Sequence, residues 1–354
     1  MRGAPPAPAQ RGQAGRTLPM LTESFVIARA RAAAARLKES ARFSEALSVD
    51  IGDDCCSFTA PDGFETVITV DALVDGIHFA REWMTPRELG YKALAVNVSD
   101  LAAMGALPAF FLVTLGLPGG TREEDIDELY AGFEECAATY RLALAGGDTV
   151  AAGVLSVTIT AVGFVEAGKA MRRSEARPGD RLYVTGPLGA SAAGLDALLN
   201  GRWGKEGSPR VTGVETLVKA HKRPVPRVEE GRMLAQSGVR VCEDISDGLA
   251  REIRNICAES GVGAILEADR IPVSPEVEAY ARTYGLDALT LALAGGEDYE
   301  LVVACSGARA AEGRSRGVAL HEVGRITGDE GRAILVMPDG SEHPLPRGYE
   351  HTTT

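Results

Sequence analysis

The chain is short of positive charge. It carries 37 Lys and Arg against 49 Asp and Glu over 354 residues, a formal net charge of −12. A nucleic-acid backbone selects for basic surface, so DNA or RNA is excluded as the main partner. Histidine is also sparse. His78, His221, His321, His343 and His351 are the only five, and no two stand at metal-ligand spacing, which argues against zinc or iron. The six cysteines (Cys55, Cys56, Cys136, Cys242, Cys257, Cys305) include no C-x-x-C pair, so neither a zinc knuckle nor a disulfide framework is expected. Scattered cysteines of this kind act as small buried hydrophobes in a reducing compartment, and the expected location is the cytoplasm. No apolar run is long enough to span a bilayer. The Walker loop, a G-x-G-x-x-G turn opening a helix and the G-x-S-x-G elbow are all missing, which removes the usual nucleotide-binding loops and the hydrolase nucleophile.

What remains is an ordinary globular mixture, 45% hydrophobic and 24% charged, long enough for two domains with their own cores. Met1 to Pro19 differs: it is rich in Pro, Ala, Gly and Arg and contains no acid. Such a segment buries too little apolar surface to fold. Residues 1–20 are therefore expected to be a disordered tail, with Met20 as an alternative start.

The elements follow from pattern. Leu21 to Lys38 reads as a helix and Thr66 to Leu73 as a strand. In that strand, alternation puts Thr69 and Asp71 on one face and Ile68 and Val70 on the other. Thr85-Pro86-Arg87-Glu88 predicts a capped helix start, running to about Met104. Phe110 to Leu117 reads as a strand, Glu123 to Tyr140 as a helix, Leu142 to Ala145 as a short strand ending at Gly146-Gly147-Asp148, and Val154 to Val165 as another strand. Pro178-Gly179-Asp180 is a turn signal. The boundary falls near it, giving domains 21–168 and 169–354. The second half alternates strands and helices: strands near Arg181 to Thr185, Val239 to Cys242, Gly263 to Glu267 and Tyr299 to Cys305, and helices over Ala190 to Leu199, Val214 to Ala220, Val228 to Gln236 and Leu249 to Ser260. A further helix ends near Ala294. The fold class is α/β (α+β) in two domains.

The chemistry lies in acids at turns and element ends, many beside glycine: Asp53-Asp54, Asp71, Asp100, Asp148, Asp244, Asp247 and Glu297-Asp298. One Asp-Gly turn is usually only a turn. Several clustered carboxylates without histidine or cysteine suit a hard cation such as magnesium, which takes oxygen ligands and keeps substrate phosphates as partners.

The motifs together resemble the thiamine-monophosphate kinase family, within the superfamily of aminoimidazole ribonucleotide synthetase and selenophosphate synthetase. The carrying segments are Gly52-Asp53-Asp54, Val70 to Phe79, Gly90 to Gly105, Gly146-Gly147-Asp148-Thr149, Arg173-Ser174, Asp244-Ile245-Ser246-Asp247-Gly248, Gly295 to Leu301 and Gly348-Tyr349-Glu350-His351. The match runs in order over about residues 21 to 351.

The resemblance implies an N-terminal domain whose strands pair with a second copy, so a homodimer. It also implies a C-terminal α/β sandwich, with ATP and several magnesium ions in the cleft between the domains. By position, Asp54, Thr69, Val70 (through its backbone), Asp71, Asp100, Asp148, Asp244 and Asp247 match metal-binding residues. Tyr130, Gly147, Asp148, Arg173 and Ser246 match nucleotide contacts, and His78, Glu297 and Tyr349 match contacts to thiamine phosphate. Val70 departs from the family's common Thr, losing a hydroxyl but keeping the carbonyl. The expected reaction is transfer of the ATP γ-phosphate to thiamine monophosphate. The acceptor phosphate is already ionised, so no covalent nucleophile or obligatory base is expected. The rival readings are another ATP-using member of the superfamily, of the aminoimidazole ribonucleotide synthetase or hydrogenase-maturation type, and a catalytically silent nucleotide or metal sensor.

Overall fold

The computed structural model describes residues 21–203 and 211–348. The expected tail at 1–20, residues 204–210, most of which belong to a loop that reads as Gly-rich from Gly201 to Pro209, and the expected substrate contact Tyr349 lie outside the described residues.

The first part of the chain opens with α1 (Glu23–Lys38), capped by Thr22, and a small hairpin of β1 (Leu47–Val49) and β2 (Ser57–Phe58). There follow β3 (Phe64–Val74), α2 (Pro86–Ala103), β4 (Leu107–Leu117), α3 (Glu123–Tyr140), β5 (Ala143–Ala151) and β6 (Ser156–Glu166). The four long strands form a sheet in the order β3-β6-β4-β5. β4 and β5 run parallel, and the other neighbours antiparallel.

α2 is the central rod. Thr85 Oγ1 accepts from Glu88 N and Glu88 Oε2 accepts from Thr85 N, so the expected capping box is formed. All but four of its eighteen residues are buried, because the sheet and α3 cover one side while α6 (Val228–Gln236) and β8 (Val241–Asp244) cover the other. That is why the helix is apolar all round rather than striped. Leu89, Leu94 and Leu101 are at most 1% exposed, each contributing about 1.5–3 kcal/mol of burial. α2 and α3 touch backbone to backbone: a Cβ on Gly90 would sit 2.1 Å from the Leu129 carbonyl oxygen.

The second part holds β7 (Arg181–Val184), α4 (Ala190–Leu199), α5 (Val214–Lys222), α6 (Val228–Gln236), β8 (Val241–Asp244), α7 (Leu249–Ser260), β9 (Gly263–Glu267), α8 (Pro275–Tyr284), α9 (Ala288–Ala294), β10 (Leu301–Cys305), α10 (Gly307–Ser315), β11 (His321–Thr327), β12 (Ala333–Val336) and β13 (Glu342–Pro344). Its seven-stranded sheet has the order β13-β12-β9-β11-β7-β10-β8. The edge strand β8 lies beside α2. On the other flank α5 is tied back to α2 and α3, through Lys222 to Glu88 at 3.2 Å, Arg223 to Glu135 at 2.7 Å and Arg223 stacked over Tyr91.

Two expectations need correction. The strand read as ending at Gly146-Gly147-Asp148 continues through them to Ala151, because β4 pairs in parallel with the whole segment. The helix read as ending near Ala294 is two helices, broken by Gly285 in the left-handed conformation and restarted by Asp287 accepting from Leu289 N and Thr290 N. Among the described residues, no helix is long and apolar enough to cross a membrane.

Candidate functional site

Six of the singled-out residues, Thr69, Asp71, Asp100, Arg173, Asp244 and Asp247, lie where α2 passes between the two sheets. β3 supplies Thr69 and Asp71 on its α2-facing side, as the alternation predicted. Thr69 Oγ1 donates to Asp100 Oδ2 at 2.5 Å, and Asp71 N donates to Asn97 Oδ1 at 3.0 Å. From the other side, Ser99 Oγ donates to Asp244 Oδ2 at 2.7 Å. Asp247, in the loop opening α7, uses its backbone N–H to reach Glu252 Oε1 at 2.8 Å, while Arg251 stands 3.4 Å from its carboxylate. Neighbouring α2 residues thus reach opposite ways, Asp100 to β3 and Ser99 to β8, as their angular spacing on a helix requires.

Crowding these acids together is electrostatically costly. Asp71 opens onto the cleft, yet burial of its carboxyl together with Asp100 and Asp247 raises its pKa to about 7. Burial also raises Asp100, which the Thr69 hydroxyl and the Arg173 charge partly relieve. Asp244, 3% exposed, is pushed well above the carboxylate range by burial and then by Asp100. The nearby bases are already engaged: Arg173 is paired with Glu243 at 2.9 Å, and Arg251 stands beside Asp247. The arrangement asks for added positive charge. Among the described residues, no three acids, histidines or cysteines converge tightly enough to cage a metal by themselves. Carboxylates that supply one or two ligands each and leave the rest to phosphates and water are the donor set magnesium takes.

A second group lies elsewhere. Asp54, Tyr130, Gly147 and Asp148 line a cavity of about 340 Å³ at the β5 side of the first sheet. Tyr130, 5% exposed, packs edge-on against Phe133. Asp148 Oδ1 accepts from Thr149 N at 2.8 Å, and Asp54 N donates to Asp53 Oδ1. Gly147 is there for room: a Cβ would stand 2.1 Å from the Val113 carbonyl oxygen. Strand register measures how far apart the groups are. Asp71 pairs with Ile159, Ile159 with Val113, and Val113 with Gly147. Three strand spacings make about 14 Å. The two groups therefore occupy opposite edges of one sheet.

Two of the expected substrate contacts, His78 and Glu297, lie among the described residues, and they stand on different segments. His78 is half-buried, and its Nδ1 accepts from Val74 N at 3.1 Å. Glu297 lies in the loop after α9, with its N–H bonded to the Ser246 carbonyl at 2.7 Å. Lys92 Nζ is 2.9 Å from Glu297 Oε1, and His221 Nδ1 is 3.0 Å from Oε2. Burial alone would raise the Glu297 carboxyl, but Lys92 and His221 outweigh it and hold the group near 2. Beside this, a cleft of about 1040 Å³ is walled by Phe79, Trp83, Met84, Leu129, Leu198 and Trp203. Trp83 also packs against the His221 ring, 5.7 Å between centroids. Val70 places its side chain on the opposite sheet face, 60% exposed.

Lys92 and His221 were not among the residues singled out from sequence. The one available signal was a lysine set in the apolar run Ala93-Leu94-Ala95-Val96. His221, alone on α5, gave none.

Comparison with known proteins follows this geometry. Residues 52–165 match the model of AIR synthase related protein, N-terminal domain, and residues 177–336 match that of AIR synthase related protein, C-terminal domain. The thiamine-monophosphate kinase of Bacillus subtilis (strain 168) is 37% identical over 313 residues, which is 86% of this chain and 94% of that one. The chain belongs to the thiamine-monophosphate kinase family. Among solved structures, the thiamine-monophosphate kinase of Stenotrophomonas maltophilia K279a superposes with a TM-score of 0.76 at 35% identity, covering 91% of this chain and 98% of that one. AaThiL complexed with AMPPCP and TMP superposes with a TM-score of 0.74 at 30% identity, covering 89% and 98%.

Proposed function

We propose that this kinase-family chain transfers the γ-phosphate of ATP to thiamine monophosphate, giving thiamine diphosphate and ADP. The observation that carries the reading is the carboxylate group Asp71, Asp100, Asp244 and Asp247, crowded at the junction of the two sheets with only Arg173 and Arg251 as basic neighbours among the described residues. Donor and acceptor are both polyanions, and two unit charges at about 4 Å repel by about 4 kcal/mol at an effective dielectric near 20. Magnesium bound to these carboxylates supplies the charge that cancels this repulsion and aligns an in-line transfer.

The chain's own residues have separable tasks. Asp71, Asp100, Asp244 and Asp247, with Thr69 and the Val70 carbonyl, hold cations at the transferring end; Asp54 and Asp148 hold cations on the β5 side. Tyr130 and Gly147 shape the nucleotide pocket, while Arg173 and Ser246 meet phosphate oxygens. His78, Glu297 and Tyr349 hold the acceptor, whose rings have room in the cleft walled by Phe79 and Trp83. No side chain has to remove a proton, because the attacking phosphate oxygen is already ionised near neutral pH.

The chain divides after residue 168, with domains 21–168 and 169–354, and it works in the cytoplasm as a homodimer. β3 is an eleven-residue edge strand whose Ile68 and Val70 are 62% and 60% exposed. An edge of that length and character is normally covered. Pairing of β3 in one copy with β5, the other edge of that sheet, in the second would bring the Asp54 and Asp148 side of one chain toward the Asp71 side of the other.

The test is product formation from thiamine monophosphate and ATP, with magnesium and then with EDTA. Magnesium-dependent thiamine diphosphate with matching ADP supports the reading. ATP binding without that product refutes it.

A further inference from the structure

Glu297 is held in place by groups from two separate helices. Its backbone is left-handed (φ 58), as are Gly296 (φ 70) and Tyr299 (φ 52) in the same loop. Residues with a Cβ rarely adopt this conformation, and it persists where the surroundings over-determine it. Lys92 from α2 has no exposed surface, and His221 from α5 is 1% exposed. Each takes one carboxylate oxygen of Glu297, at 2.9 and 3.0 Å. Lys92 Nζ and Oε1 form a charge pair at 2.9 Å. His221 Nδ1 lies between Glu297 Oε2 at 3.0 Å and Ser191 Oγ at 3.1 Å; a carboxylate only accepts, so the contact to Oε2 uses the Nδ1-protonated ring. The charged and titratable groups around the carboxyl are Lys92 on α2, His221 and Lys222 on α5, and Tyr299 on its own loop.

Lys92 and Asp100 share α2. Eight residues separate them, about 12 Å along the axis. One buried rod therefore sets both the position of Glu297 and that of the carboxylates at the junction of the sheets.

We infer that Lys92 and His221 are positioning residues: they hold Glu297 as an ionised acceptor for the amino group of the aminopyrimidine ring of the phosphoryl acceptor, at a distance from the transferring phosphates fixed by α2. This rests on the functional reading above and deepens it by giving the acceptor's ring recognition to residues that do not themselves touch it. With both oxygens already oriented, the carboxylate offers its remaining lone pairs to one N–H donor, so an acceptor lacking that amino group should bind poorly.

The experiment measures binding by calorimetry, independently of turnover, on the full chain with magnesium from pH 5.5 to 8.5. Thiamine monophosphate and a non-hydrolysable ATP analogue are titrated separately. Lys92→Met should weaken thiamine monophosphate about tenfold or more, the equivalent of one unit of carboxyl pKa, and leave the ATP analogue within about twofold. In this variant the acceptor's affinity should fall more steeply as pH drops than in the unaltered protein, because Glu297 then takes up a proton in addition to the titration of the acceptor phosphate and Asp71 that both proteins share. The double variant Lys92→Met/Glu297→Gln should lose that extra pH dependence. His221→Leu should weaken acceptor binding, and His221→Asn, which keeps an N–H donor, should restore part of it. Thermal melts check folding, and if Lys92→Met does not fold, the His221 pair decides. Equal losses for both ligands without that extra pH dependence would mean ordinary packing and overturn the proposal, as would unchanged acceptor binding. Failure of the unaltered protein to bind thiamine monophosphate overturns the functional reading, and the proposal with it.

Discussion

Asp71→Asn should make the metal-free protein more stable and much less active. The structure gives both signs. Burial and the charges of Asp100 and Asp247 raise the Asp71 carboxyl to about 7, so at pH 8 the folded protein must keep it ionised against its surroundings. A rise from 3.8 to about 7 corresponds to about 4 kcal/mol at 1.36 kcal/mol per unit. Asp71 opens onto the cleft, and solvent screening reduces this to about 1–2 kcal/mol. Asparagine keeps the backbone N–H bond to Asn97 and removes the charge. In EDTA at pH 8 the melting temperature should therefore rise by about 2–4 °C. With magnesium the sign reverses: one carboxylate fewer faces the phosphates, and kcat should fall by about 100-fold or more. Differential scanning calorimetry with and without magnesium, beside a coupled ADP assay, gives both readings. A lower melting temperature in EDTA, or kcat within threefold of the unaltered protein at limiting magnesium, would refute the reasoning.

Acids whose pKa is raised on folding bind protons more tightly in the native state, so their contribution to stability falls as pH rises from their ordinary range near 4 to their folded values. With Asp71 and Asp298 raised to about 7 and Glu243 raised by burial and by Glu252 beside it, thermal melts in EDTA should decline between pH 5 and 8, and magnesium should flatten that decline. Glu297, held near 2, acts oppositely: its contribution is complete above about 4.5 and is lost as pH falls toward 2, seen as a separate acid transition that Glu297→Gln removes. Gly147→Ala puts a Cβ 2.1 Å from a strand carbonyl. It should cost about 1–3 kcal/mol and weaken nucleotide binding, both read from melts with and without an ATP analogue. Ile68→Lys places a charge on the exposed face of the edge strand; sedimentation should show a monomer, and the monomer should be inactive.

Much of the fold was legible because local signals were strong. The helices at Glu123–Tyr140, Val228–Gln236 and Leu249–Ser260, and the strand Gly263–Glu267, lie where the pattern put them. So does the Thr85–Glu88 capping box, which needs only four consecutive residues. β5 was cut short because glycine pairs read as turns when the partner strand is unknown. The strands β11 to β13 and the helix α10 went unread, since their short patterns depend on neighbours far along the chain.

For the site, the sequence by itself determined the donor type, many carboxylates at element ends with few histidines, and an order of motifs sufficient to indicate a family. It also set Thr69 and Asp71 on one face, because side chains alternate along a strand whatever the strand packs against. Tertiary structure alone decided which acids face one another. Ser99 and Asp244 are 145 positions apart and share a hydrogen bond only because α2 runs between two sheets. Tertiary structure also decided that Asp148 lies three strands from Asp71, and that Lys92 and His221 converge on Glu297. Charge crowding, burial and the pKa shifts they cause depend on distances through space, and a linear sequence specifies those only once the chain has packed.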